Sequence, residues 1–126
     1  MIGIGMMKDE RTHKIIGAAM EVHSVMGPGR LEAVYQECLE IEFEERNIHF
    51  VSQPQLQIYY KNKKLRKFYV PDFIVFGDII VEIKSEKSLT AFDESQIINS
   101  LMISRNRVGL LINFGEKSLR FKRFIA

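Results

Sequence analysis

The chain has 126 residues, 46% apolar and 27% charged, which is enough for one self-sufficient core and suits a single globular domain over residues 1–126. Its one cysteine, Cys38, excludes an internal disulfide and a multi-cysteine zinc site, and no apolar run approaches the ~18 residues of a membrane span. Net charge is only +2 but uneven: residues 1–60 hold 5 basic and 9 acidic side chains, residues 61–126 hold 13 and 7, so either the second half has a face for a polyanion or the asymmetry is a chance property of a solvated surface.

Met1 to Met7, within residues 1–8, are apolar and short. They lack a basic segment and a small-residue cleavage site, so they read as a frayed end and not a signal peptide. Residues 9–25 predict a helix with Ile15, Ile16, Ala19, Met20 and Val22 as its apolar stripe, stopped by Gly27-Pro28-Gly29. A second helix follows over about 30–46, burying Leu31, Val34, Tyr35, Cys38, Leu39 and Ile41 and turning Glu37, Glu40, Glu44 and Glu45 outward. Cys38 reads as packed core, and His13, His23 and His49 as structural.

Residues 49–60 predict a strand with Leu56, Ile58 and Tyr60 in alternation, Lys61 to Lys64 a polar hairpin turn, and 65–76 a second strand. Gly77-Asp78 turns into a third, Ile79 to Lys84. Thr90 caps a helix that runs to about Arg105, with Asp93 answering from the third helical position. Val108 to Asn113 is a strand buried on both faces, and residues 115–118 turn into a last strand over 119–125. The order α-α-β-β-β-α-β-β, with a helical crossover between two strands, implies an α/β (α+β) domain with a mixed sheet flanked by helices.

Glu82 and Lys84 are two apart on one strand and share a face, while Val81 and Ile83 fill the other. Charges inside the run Ile79-Ile80-Val81-Glu82-Ile83-Lys84 are costly unless paired or metal-bound, which marks a site; an exposed Glu82–Lys84 ion pair is the plain alternative. Asp72 reaches Glu82 only if the intervening turn has odd length. With Val75 opposite Ile79 the two acids face each other, and a two-residue loop at Gly77-Asp78 would set them on opposite faces. Pro71 cannot donate to a ladder and marks an edge, a strand start or an irregularity. Two opposed carboxylates suit Mg²⁺ or Mn²⁺, with Lys84 beside them to orient water and steady the phosphate.

The segment Pro71-Asp72 … Glu82-Ile83-Lys84 resembles the signature of the PD-(D/E)XK nuclease superfamily. Gly29-Arg30-Leu31-Glu32-Ala33-Val34-Tyr35 resembles the GxxExxY pattern of a prokaryotic family assigned to it, and Gly109 to Gly115 is similar to that family's last core strand. The resemblance covers residues 9–125. It implies a restriction-endonuclease-like α-β-β-β-α-β core, with Asp72 and Glu82 as metal ligands, Lys84 as the catalytic lysine and Glu32 as the helix acid completing the metal shell. Tyr35, a turn beyond Glu32, either hydrogen-bonds it or packs. Gln96 matches the glutamine of a Gln-x-x-x-Tyr pattern in which Ser100 replaces the tyrosine, so that tyrosine's role is missing or supplied elsewhere; Asn99 is a weaker candidate.

Lys61, Lys63, Lys64, Arg66 and Lys67 either contact phosphates along a hairpin arm or simply protect its edge, and no aromatic–basic interleaving marks a single-strand platform. The resulting expectation is a cytoplasmic, metal-dependent nuclease acting on DNA more readily than RNA, with no membrane partner. It would assemble as a homodimer through the first helix or the last strand. The competing expectation is a non-catalytic nucleic-acid-binding or assembly module of the same fold.

Overall fold

A computed structural model describes residues 9–126 and the backbone of Gly3–Ile4. In chain order the elements are β1 (Gly3–Ile4), α1 (Glu10–Met26), α2 (Glu32–Glu45), β2 (Phe50–Ser52), β3 (Leu56–Tyr60), β4 (Lys63–Tyr69), β5 (Phe73–Val75), β6 (Ile79–Lys84), α3 (Ala91–Ser104), β7 (Val108–Asn113) and β8 (Arg120–Ile125). The frayed end expected at 1–8 lies outside the described residues except for Gly3–Ile4, whose backbone pairs with β8 and covers the far edge of that strand.

The helices start and stop for local reasons. Asp9 accepts the Arg11 amide at 2.9 Å and caps α1, and Gly27 in the left-handed region ends it. Thr90 and Asp93 exchange the two bonds of a capping box at the start of α3. No side-chain bond caps α2, which begins after Leu31.

Six strands form one sheet in the order β1-β8-β7-β6-β5-β2. Only β6 and β7 run parallel, joined by α3. Alternation along β6 divides the core into two. Ile79, Val81 and Ile83 pack with Phe73, Leu110 and Ile112 against α1 and α2. Ile80 packs with Leu111 and Phe124 against Ile97 and Leu101 of α3. The domain is therefore three-layered, and β7 is buried along its whole length as its apolar run demands. Gly109 makes that closeness possible, since a Cβ there would lie 3.1 Å from Ile97 Cδ1.

Three expectations need correction. The span 49–60 is two strands, because Gln53 adopts a left-handed φ of 49° ahead of Pro54 and breaks the ladder. The span 65–76 is also two, broken where Pro71 lacks an amide to donate. The core strands are thus β2, β5 and β6, and β3–β4 is a separate two-stranded excursion inserted between β2 and β5. Its turn is the two-residue Lys61-Asn62, both at positive φ as a type I′ hairpin requires. The apolar stripes are narrower than expected: Met20, Leu31 and Ile41 are exposed, and α2 buries Tyr35, Leu39 and Phe43 at strict one-turn spacing. Fully burying an aromatic such as Phe43 is worth about 2–3 kcal/mol, so these three positions fix the helix's rotation. No helix among the described residues is long and apolar enough to cross a membrane.

Candidate metal centre and its cleft

The β5–β6 connection decides whether a centre exists. Val75 pairs with Ile79 and Phe73 with Val81, so the loop is Phe76-Gly77-Asp78 and has the odd length that places Asp72 across from Glu82. Phe76 and Gly77 take positive φ values of 55° and 83° to close it. Asp72 and Glu82 consequently lie on the α3 side of the sheet, with Ile74 and Ile80.

Each carboxylate is tied to the other's strand. The Asp72 amide donates to Glu82 Oε1 at 2.8 Å, and the Ile83 amide donates to Asp72 Oδ2 at 2.7 Å. The Tyr69 hydroxyl donates to Glu82 Oε2. The Asp72 carbonyl accepts from Gln36 Nε2 at 2.9 Å and from the Gln53 amide at 2.9 Å, so α2 and the β2–β3 bend both hold the irregular backbone after Pro71. Burial, joined by the Asp72 charge, pushes the Glu82 carboxyl up to about 7, even though bonds from Tyr69 and the Asp72 amide favour its charged form. Burial likewise raises Asp72, against the Ile83 amide bond and the positive charge of Lys84. Two half-buried carboxyls with surplus negative charge and opposed oxygens are a donor set that fits a hard divalent cation.

An open cleft of about 160 Å³ lies over this pair, lined by Glu32, Asp72, Glu82, Lys84 and Gln96 with Val70, Ile83 and Ile97. The five side chains expected to carry chemistry are thus gathered around one cavity. Glu32 is exposed in the first turn of α2. Among the described residues no group of three or more His, Cys, Asp and Glu closes into a metal cage, so Asp72 and Glu82 form the compact pair and Glu32 stands at the rim. Gln96 is exposed on α3 and faces the same space, whereas Asn99 does not line it.

Tyr35 bonds the chain ahead of Glu32 and not its carboxyl. It is fully buried, donates to the Gly27 carbonyl at 2.5 Å and accepts the Arg30 amide at 2.9 Å. Its ring stacks on Phe114 at 4.4 Å. Gly29, at φ 80°, donates to the Phe114 carbonyl at 3.2 Å. The Gly29–Tyr35 segment therefore pins the start of α2 to the end of β7 and sets Glu32 over the cleft. The Gly109–Gly115 segment does the matching work for Lys84. Buried Asn113 accepts the Glu86 amide at 2.9 Å and donates to its carbonyl at 3.0 Å, which fixes the loop that leaves β6. Gly115 is required there, because a Cβ would sit 2.1 Å from the Glu86 carbonyl oxygen.

Two residues of the site escape sequence reasoning. Asp93 reads as a helix cap, yet it is buried and its Oδ1 lies 3.8 Å from Lys84 Nζ. Burial alone would raise its carboxyl, but bonds from Thr90 and Glu86 and the charge of Lys84 hold it below the usual carboxylate range. The same shared bond raises Glu86. Tyr69 reads as a strand residue, yet its hydroxyl sits between Glu82 and Ser100 and is kept protonated by burial and the Glu82 charge. Ser100 is where the helix pattern lacks its tyrosine, and β4 supplies a phenol at that point. Only the strand break at Pro71 could have hinted that Tyr69 turns inward. The basic side chains Lys61, Lys63, Lys64, Arg66 and Lys67 lie outside the cleft, exposed on β3–β4 and its turn.

A family model described as the PD-(D/E)XK nuclease superfamily matches residues 9–124. That match covers nearly the whole chain and both carboxylates, without singling out the narrower GxxExxY grouping. Members of the superfamily typically use divalent metals. No curated protein and no solved structure matches the chain.

Proposed function

Because the chain belongs to the PD-(D/E)XK nuclease superfamily, we propose that it hydrolyses phosphodiester bonds, of DNA in preference to RNA, at the Asp72–Glu82–Lys84 cleft with Mg²⁺ or Mn²⁺ as cofactor. We also assign it to the GxxExxY group on the Gly29–Tyr35 segment. The observation that carries the nuclease reading is the odd-length β5–β6 loop: it opposes two half-buried carboxylates on the face from which Lys84 projects.

Asp72 and Glu82 hold the cation, with Glu32 at the rim as a further oxygen donor. Bound there, a divalent ion compensates the charge of the phosphate and acidifies water. Lys84, steadied by Asp93, presents its ammonium to the phosphate oxygens where charge grows during attack. Gln96 offers an amide from α3 to orient water or a phosphate oxygen. Lys61, Lys63, Lys64, Arg66 and Lys67 add affinity independent of base sequence. Expression in the cytoplasm and a homodimer able to address both strands complete the reading.

Cleavage of single-stranded, duplex and branched DNA with Mn²⁺ tests it. The protein should cut at least one of these, and Lys84→Ala should bind DNA equally well while cutting at least about 100-fold more slowly. A protein that cuts none of them, takes up no Mn²⁺ by calorimetry and gains no melting temperature from it would be a binding module instead.

A further inference from the structure

The hairpin β3–β4 stands outside the main sheet as a two-stranded pair, and its outer face is exposed. Leu56 and Tyr69 at its base turn inward and join the α3 side of the core. Gln57 pairs with Phe68 and Tyr59 with Lys64, on either side of a register shift that sets residues 65–67 opposite Ile58; alternation along β3 puts Gln57 and Tyr59 on one face, and their partners Phe68 and Lys64 lie against it. Tyr59 is 55% exposed and Phe68 46%, two aromatic rings standing free beside a lysine. Tyr60, next along β3, is also exposed and has the Lys61 Nζ 5.4 Å from its ring centroid. The aromatic–basic interleaving that the linear sequence lacks is created by the strand pairing.

The charge around these rings is of one sign. Residues 46–71 contain no Asp or Glu, whereas Arg46, Lys61, Lys63, Lys64, Arg66 and Lys67 all lie within them. No carboxylate pairs with the five cations of the hairpin among the described residues. A second copy of the hairpin would bring like charges together, which disfavours self-pairing through this face. A polyanion that also offers exposed π faces satisfies both features. Duplex bases hide their faces in the stack, and unpaired bases present them. The strand also leads into the cleft, since β4 ends at Tyr69 on Glu82 and the next residue, Val70, lines the cavity.

We propose that the outer face of β3–β4 is a single-strand-binding arm on which Tyr59 and Phe68 stack unpaired bases while Lys64 and its neighbours neutralise the phosphates. The arm narrows the substrate to nucleic acid with an unpaired segment, such as an overhang or flap. This rests on the nuclease reading for its purpose, but binding and cutting are read separately.

Fluorescence anisotropy of labelled oligothymidine against a duplex of equal length, in excess chelator so that nothing is cut, tests the arm alone. The protein should bind the single strand more tightly. The double substitution Tyr59→Ala, Phe68→Ala should weaken that binding at least about 25-fold and leave duplex affinity within about twofold, from the stacking contribution of each ring. Tyr59→Phe should bind as the parent does. Equal affinity for the two probes, or an undiminished single-strand affinity in a double variant with native circular dichroism, would overturn the proposal. So would a parent that sediments as a dimer and a double variant that sediments as a monomer, which would make the face a contact between copies. Single-strand binding without cleavage by the parent in Mn²⁺ would sustain the arm and remove the nuclease reading.

Discussion

The β5–β6 pair and the β3–β4 hairpin are neighbours in the chain and opposites in construction. At β5–β6 every strand residue is buried or nearly so, and two carboxylates are held by backbone amides within a sheet that continues on both sides. At β3–β4 most side chains face solvent and the pair has no third strand. Charge follows the same division, with acids kept in the centre and only bases on the arm. On the proposed reading, the ion site is set where the fold is least yielding, and the surface for a flexible polymer is set where a substitution costs the fold least.

Substitutions ranked by expected effect sharpen that contrast. The largest belongs to the frame of the centre. Gly115→Ala forces a Cβ against the Glu86 backbone, at 2.1 Å, and should lower the melting temperature by more than about 10 °C by differential scanning calorimetry. A mild shift would mean that the loop after Lys84 yields and that the centre is less rigid than its bonds imply.

The second effect runs the other way. Glu82 has its folded carboxyl raised to about 7 from 4.5, so between those values the native state binds more protons than the unfolded chain, and metal-free stability falls as pH rises. Glu82→Gln removes that penalty. In chelator it should stabilise the protein more at pH 8 than near pH 4, where the carboxyl is protonated in both states. Urea melts at the two pH values give the comparison, and equal gains at both would refute the buried repulsion.

The smallest effect belongs to the arm. Lys63→Gln with Lys64→Gln should move folding stability by less than about 0.5 kcal/mol, because both side chains are exposed. The same pair should reduce the slope of log affinity for single-stranded DNA against log salt by about 1.4, roughly 0.7 per charge. A loss of stability would show that the hairpin supports the core after all.

Much of the centre was legible because its signals are local. Glu82 and Lys84 interrupt an apolar strand; the sequence leaves the loop length open between odd and even, with the turn placed at Gly77-Asp78, and the structure adds Phe76 to it and makes it odd. The helices were legible in place but not in rotation, since Leu31 and Ile41 are as apolar as the residues that are buried. The strands near Gln53 and Pro71 were run together because β propensity extends across both breaks and a left-handed φ at Gln53 leaves no mark in composition. Tyr69 and Asp93 were missed for a common reason. Each meets its partner across the fold, Glu82 in one case and Lys84 in the other, and spacing along the chain does not record such meetings.

The Phe76-Gly77-Asp78 loop also decides what a deletion in the gene would do. β5 is Phe73-Ile74-Val75 and the facing part of β6 is Ile79-Ile80-Val81, apolar at both parities, so hydrophobic burial scarcely distinguishes one register from its neighbour. The loop does, together with the bonds that tie Asp72 and Glu82 to each other's strands. An in-frame loss of one codon there would leave a two-residue hairpin of the commonest length, in which Ile74 takes the core position and Asp72 turns away from Glu82. On the proposed reading such an allele would part the two acids and lose the centre.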